Sequence, residues 1–256
     1  MRSIYIGYDA NEPTAYHVLA HSILRRATAP ISVTPLVREQ LKPFFERQRG
    51  PLESTDFSIS RFLVPYLSGY QGYSIFMDCD MLCLADIKEL WTFITNRHTA
   101  VWVAPHEYTP KSEVKMQGQV QTIYPRKNWS SLMIFNNSQC RTLTPDYVST
   151  ASGLDLHRFV WVKSEKLIGT LPLEWNWLGG EYAINPNAKM LHYTLGGPWF
   201  QETQQCDRAE DWYTEYREMT GQDFRPVQAW QRPPVAILKQ EFISHLSGKP
   251  LGENWR

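Results

Sequence analysis

Two carboxylates one residue apart, Asp78 and Asp80, close the short apolar run 73–77 (YSIFM) and carry the strongest chemical signal in the chain. On an extended backbone the side chains at i and i+2 leave on the same side, so both acids can face one hard divalent cation. Acids in this spacing also arise as a solvated turn. A turn of that kind would more naturally follow a polar strand, whereas the carboxyl end of a buried strand is where open α/β sheets bind ligands. The second signal is the stretch 192–199 (HYTLGGPW), which follows a strand-like Lys189-Met-Leu. A neutral imidazole at His192 can complete a carboxylate metal site, and Gly196-Gly197 lets backbone N–H groups approach phosphate oxygens. A histidine by itself is ordinary packing; the glycines beside it make it a candidate ligand.

Elements must exist to hold these residues. Residues 3–8 (SIYIGY) read as a buried first strand ending at Tyr8-Asp9. Glu12-Pro13 then suits a helix start, with Tyr16, Leu19, Ala20, Ile23 and Leu24 on one face. A second strand is expected over 31–36, and a helix over 55–67, with Arg61 inside its apolar face and Pro65 bending it. Residues 86–89 (DIKE) give a capping-box start for a helix after the acids. Buried strands are expected at 100–104 and 131–135, and helix starts at 144–146 and 207–210. Alternating elements of this kind predict an α/β sandwich with a mainly parallel central sheet. The chain reads as one domain, residues 1–224. A Pro-rich connection with a last amphipathic helix at 235–246 (together residues 225–256) is expected to pack on that domain, sealing a homodimer or closing the site.

Composition sets outer limits. Twenty-six basic and 26 acidic residues cancel, so no net field would gather nucleic acid or an anionic membrane. Apolar residues at 43% can fill a sizeable core. No stretch approaches the roughly 18–20 apolar residues of a spanning helix, and no signal-like segment opens the chain, so a cytoplasmic protein without a transmembrane segment is expected. The four cysteines include no CxxC pair, which predicts reduced thiols rather than disulfides or structural zinc. Sequons at Asn128 and Asn136 carry no weight in that setting.

Taken together, the strand into Asp9, the Ser60-Arg61-Phe62 segment, Asp78-x-Asp80 with residues 86–91 after it, and His192 with Gly-Gly-Pro-Trp199 resemble the nucleotide-sugar glycosyltransferases of the GT-A fold. The nearest match is the family 8 group that includes glycogenin and the lipopolysaccharide galactosyltransferases, over residues 4–199. The resemblance implies a Rossmann-like nucleotide-diphospho-sugar transferase fold and an enzyme that moves a sugar from a nucleotide donor, UDP favoured, to a glycan or other hydroxyl acceptor with retention. It implies Mn²⁺ or Mg²⁺ on Asp78, Asp80 and His192. Tyr8 and Asp9 match residues at the base and ribose, Arg61 matches an arginine that reaches the donor, and Gly197 and Trp199 fall in the diphosphate loop.

The departures from that pattern are local. Gly197 stands before Pro198 where the family usually has lysine, so the cation that assists the leaving diphosphate must come from elsewhere, with Lys115, Arg126 and Lys127 as candidates. Lys127 and Asn128 belong to the donor side, where residues 128–131 (NWSS) replace an Asn-Ser-Gly start. Asp155, His157 and Asn176 are the groups offered to the developing sugar cation, as catalytic candidates. Trp175, Trp177 and Trp199 are candidates for stacking on a sugar face, although rings of this size more often fill cores. Three other readings compete. A catalytically silent carbohydrate-binding protein of the same fold would keep the site without turnover. A haloacid-dehalogenase-like phosphatase would use Asp78 as nucleophile, but needs downstream acids on a strand end that are missing here. Sugar-nucleotide pyrophosphorylases would need a Gly-rich loop after strand one, which is absent.

Overall fold

The protein is described by a computed structural model that covers residues 2–50, 53–107, 126 and 128–229. Lys115, Lys127 and the expected helix 235–246 lie outside the described residues. The chain begins with β1 (Arg2–Gly7), α1 (Pro13–Arg26) and β2 (Ile31–Leu36), a right-sized unit for parallel pairing, and β1 pairs β2 in parallel. Then come the one-turn α2 (Val64–Leu67), β3 (Tyr73–Met77), β4 (Met81–Cys83), β5 (Val101–Val103) and β6 (Leu132–Asn136). The second half adds α3 (Pro145–Thr150), α4 (Gly153–His157), β7 (Ile168–Thr170), β8 (Trp177–Leu178), β9 (Met190–His192) and α5 (Ala209–Thr220).

The main sheet has six strands in the order β2-β1-β3-β6-β5-β7. β6 runs antiparallel to both neighbours, while the β1–β2, β1–β3 and β5–β7 pairs are parallel. Five strands therefore share one direction, and their carboxyl ends meet the start of β6 along one edge. β3, β5 and β6 are buried at nearly every position, as expected of strands covered on both faces. A second sheet, β4-β9-β8, stands beside that edge.

Several local expectations change in the structure. The helix expected over 55–67 is a 3-10 turn at Ser60–Leu63 followed by α2, because Pro65 lacks the N–H needed to carry a longer helix through. Asp86 does cap the segment after the acids, accepting from Lys88 N at 2.9 Å, but the turn is 3-10, Ile87–Phe93, and Glu89 instead ion-pairs with Lys189. In α1 the buried stripe is Ala15, Val18, Leu19, Ser22 and Ile23, one residue back from the expected one, leaving Leu24 55% exposed. The polar Ser22 is accepted in that stripe because its hydroxyl donates to Leu19 O (2.8 Å) and accepts from Cys83 N (3.1 Å), tying α1 to β4. Residues 224–229 lie against the body: Val227 bridges to Phe200, and the Phe224 ring meets Trp212 and Tyr216. Among the described residues, no helix is long and apolar enough to cross a membrane.

Candidate metal and donor site

β3 delivers Asp78 at the edge of the main sheet, and β4 begins one residue after Asp80. The antiparallel pairing of β4 with β9 sets Met81 opposite His192, and the next backbone bond, Tyr193 N to Asp80 O at 2.9 Å, locks the register. Two distant stretches of sequence thus meet by main-chain pairing. One ligand atom each from Asp78, Asp80 and His192 lies within 4.8 Å of the other two, and His192 Nε2 stands 3.3 Å from Asp80 Oδ1.

The imidazole is oriented from behind. Asn176 is fully buried, and its amide nitrogen donates to Asn128 O (3.2 Å) and Ser131 Oγ (2.8 Å). The carbonyl of Asn128 only accepts, so the amide orientation is determined, and Asn176 Oδ1 faces His192 Nδ1 at 2.9 Å. Nδ1 therefore carries the proton, and the Nε2 lone pair points towards the acids. This is the arrangement by which a second residue prepares a histidine ligand. Asn176 was expected among groups facing the sugar; the structure buries it as the partner of His192. Two hard oxygen ligands with one imidazole could hold a divalent metal ion.

Asp78 is held as firmly. Arg61 Nη1 is 2.7 Å from Asp78 Oδ1 and donates to Ser130 O at 2.9 Å, with the guanidinium packed against the adjoining rings of Phe57 and Phe76 at 5.4 and 5.0 Å. Its charge is thus paired with an acid of the candidate metal group. The segment 128–131 is the hub of these contacts. Asn128 adopts φ +63°, a left-handed conformation that asparagine tolerates, and turns the chain so that Ser131 O accepts from Asp78 N (2.9 Å) and Ser130 Oγ meets His157 Nδ1 (2.6 Å). His157, half-buried and edge-on to Phe62, is thereby brought to the same neighbourhood. Asp155 sits in the first turn of α4, and no hydrogen bond or ion pair among the described residues joins its carboxylate to the metal ligands. Arg126 stacks on Trp129 and ion-pairs with Glu165.

At the end of β1, Tyr8 remains half-exposed, with Tyr16 edge-on against it. Asp9 is only 2% exposed: Oδ1 accepts from the backbone and side-chain nitrogens of Asn11 (2.9 and 2.8 Å), and Oδ2 from Asp56 N (3.1 Å). It shapes two loops from within. Trp199 is also internal, at 1% exposure, packed on Trp212 and Phe200. A Cβ at Gly197 would lie 2.1 Å from the Trp199 ring, so only glycine lets this loop lie flat on the indole. Trp175 is fully buried as well, which removes it with Trp199 from sugar stacking, while Trp177 stays partly exposed beside Tyr182.

Two residues here were not singled out by sequence. His106, beyond the end of β5, bonds Tyr182 Oη through Nδ1 at 2.9 Å, and burial, with the nearby His192, pushes its pKa down to about 3, so it is neutral at all ordinary pH. Glu12, read from sequence only as a helix start, is buried between the two loops of the site. A single histidine and a single glutamate offer no spacing signal that could have marked them.

No protein-family model matches the chain. A curated protein of Arabidopsis thaliana, Protein CDI, is 46% identical over 224 residues, which cover 84% of this chain and 86% of that protein. Among solved structures, the bifunctional glycosyltransferase WbbM aligns with a TM-score of 0.57 at 17% identity over 84% of this chain, and the chain spans about half (49%) of WbbM. Galactosyltransferase LgtC, solved with donor and acceptor sugar analogs, aligns at 0.56 and 11% identity over 85% of this chain and 96% of LgtC. Glycosyltransferase GlyE of Streptococcus pneumoniae TIGR4 aligns at 0.55 and 12% identity, over 99% of this chain and 65% of GlyE. The mixed sheet and its neighbours are those of the GT-A fold.

Proposed function

The chain belongs to the family of Arabidopsis thaliana Protein CDI and has the GT-A fold, and from that premise we propose that it is a metal-dependent glycosyltransferase. It moves a sugar from a nucleoside-diphosphate donor, UDP favoured, to a hydroxyl acceptor such as a glycan. The observation that carries this reading is the convergence of Asp78, Asp80 and a His192 of defined tautomer at the ligand-binding edge of the sheet. The resemblance to family 8 supports retention of the anomeric configuration.

Cleavage of the C1–O bond leaves negative charge on the diphosphate. A divalent cation held by Asp78, Asp80 and His192 would supply Lewis-acid stabilisation of that charge. The protein's own residues prepare for it. Arg61 fixes Asp78, Asn176 fixes His192, and the loop at Gly197 lies on Trp199, next to the ligand histidine in sequence. Tyr8 supplies a half-exposed ring at the end of β1 for the nucleotide. His157 is linked to Arg61 through Ser130, whose hydroxyl meets His157 Nδ1 and whose carbonyl accepts from Arg61.

Thermal denaturation with Mn²⁺ and a panel of nucleoside diphosphates tests this reading, because a ligand bound only by the native state raises Tm by mass action. One nucleotide is expected to stabilise only with Mn²⁺ present. Asp80→Ala should abolish the shift and lower turnover about 100-fold or more, the scale of losing one preorganised electrostatic group. No shift with any nucleotide would sink the donor site and bring forward a carbohydrate-binding protein that shares the fold.

A further inference from the structure

Glu12 occupies the N-cap of α1, where serine, threonine, aspartate or asparagine would normally accept from the first turn, and its side chain makes no such bond. It turns inward and is 4% exposed. Trp199 Nε1–H donates to Glu12 Oε2 at 3.2 Å, and the Cys79 thiol donates to Oε1 at 3.6 Å. Both donors are placed by the site. Cys79 lies between Asp78 and Asp80, so the alternation that sends the two acids towards the ligand sends its thiol inward. Trp199 is the floor on which Gly197 rests. One carboxyl group therefore touches the back of the metal loop at Cys79 and the anchor of the glycine loop at Trp199, 67 and 187 residues away from it in sequence.

We propose that Glu12 is a positioning residue of the donor site: its buried carboxyl clamps the Asp78–Asp80 loop to the Gly197–Trp199 loop at the spacing a metal-bound diphosphate requires. This deepens the glycosyltransferase reading and rests on it. The clamp touches no ligand itself. It governs whether metal and diphosphate are bound together, because the metal acids sit on one clamped loop and the glycine loop is the other. Burial, with Asp80 and Asp9 close by, holds the Glu12 carboxyl well above the usual carboxylate range. A neutral acid adds no further negative charge behind the metal ligands, and glutamine can reproduce its shape and its acceptor for Trp199.

The experiment compares unaltered protein, Glu12→Gln, Glu12→Ala and Trp199→Phe, using Mn²⁺ electron paramagnetic resonance to titrate metal alone and metal with UDP, alongside circular dichroism melts. Glu12→Gln should bind Mn²⁺ with UDP within about threefold of the unaltered protein, a difference under one tenfold step of affinity. Glu12→Ala, at a temperature where it is folded, should bind Mn²⁺ alone normally but Mn²⁺ with UDP about tenfold or more weakly, the scale of losing an outer-shell partner. Trp199→Phe removes the indole N–H and should share that defect, which keeps the test open should Glu12→Ala not fold. A lowered Tm with unchanged Mn²⁺ and UDP binding in both Glu12→Ala and Trp199→Phe would overturn the proposal and leave Glu12 a core acid. A glutamine variant as weak as the alanine variant would overturn it too. If the unaltered protein binds Mn²⁺ but gains nothing from UDP or any other nucleoside diphosphate, the donor-site reading itself falls, and the inference with it.

Discussion

Two buried groups of acids in this molecule are built in opposite ways. Between α1 and α5, Glu215 is 1% exposed and meets three partners: His21 Nδ1, Arg25 Nη2 and Arg26 Nη1, each at 2.7 Å, with a further bond from Arg25 Nε at 3.1 Å. Cations outnumber the acid, both carboxylate oxygens are used, and the cluster is complete as protein. At the sheet edge the balance reverses among the described residues. Asp78 pairs with Arg61 and Asp80 with His192, a third carboxylate, Asp9, is buried close by, and one atom each of Asp78, Asp80 and His192 is arranged to share one point in space. A buried group with surplus negative charge and a prepared lone pair is stabilised by adding a cation; one with its charge already covered is not. The difference separates a structural clamp from a binding site without reference to any relative.

The comparison can be broken most directly at Glu215. Glu215→Ala removes several charge-assisted bonds between α1 and α5 and should cost about 2–3 kcal/mol, visible as a lower Tm, while Mn²⁺ affinity of the folded protein stays unchanged. An unaltered Tm would show that the cluster does not hold the helices together. A smaller effect on folding, but a larger one on metal, is expected from Asn176→Ala. Without its acceptor, His192 loses the defined tautomer, and Mn²⁺ affinity should fall about 10- to 100-fold, measured by Mn²⁺ resonance titration. Equal affinity in the variant would mean that His192 is oriented by its strand alone.

The smallest expected effect is also the sharpest contrast, because the two clusters have opposite signs of pH dependence. Arg25, Arg26 and His21 overcome the burial of Glu215 and hold its carboxyl below the ordinary range. Its contribution is therefore present above the unfolded value near 4.5 and lost as pH falls through the lower folded value. Glu12 is shifted upward, so its contribution is full below the unfolded value of 4.5 and is lost as pH rises through the raised folded one. Melting curves across pH should show Glu215→Ala flattening the acid limb and Glu12→Gln flattening the opposite limb. A Glu12→Gln profile parallel to that of the unaltered protein would contradict a neutral Glu12.

What could be read without coordinates was whatever depends on short spacing. Asp78 and Asp80 were legible because period-two geometry needs no tertiary partner, and His192 because glycines follow it. The position of β6 was legible but not its direction, since a strand buried on both faces reads alike in parallel and antiparallel pairing. The stripe of α1 was misplaced by one residue because a serine hydroxyl satisfied by β4 can be buried where an isolated helix would expose it. Arg61, Asp9 and Trp199 matched ligand-facing positions by motif. In the fold they face Asp78, the Asn11 and Asp56 backbone, and Glu12, since a polar atom removed from water must be met by the nearest partner.

The sequence by itself determined the alternation of buried strands and helices, the paired acids at a strand end and the absence of net charge, because each is a property of neighbours along the chain. Only the tertiary structure decided that His192 closes the acid pair, that Asn176 orients it from behind, and that Glu12 joins the two loops. Those contacts span 16 to 187 residues of sequence, and strand register and burial, rather than local spacing, bring such groups within bonding distance.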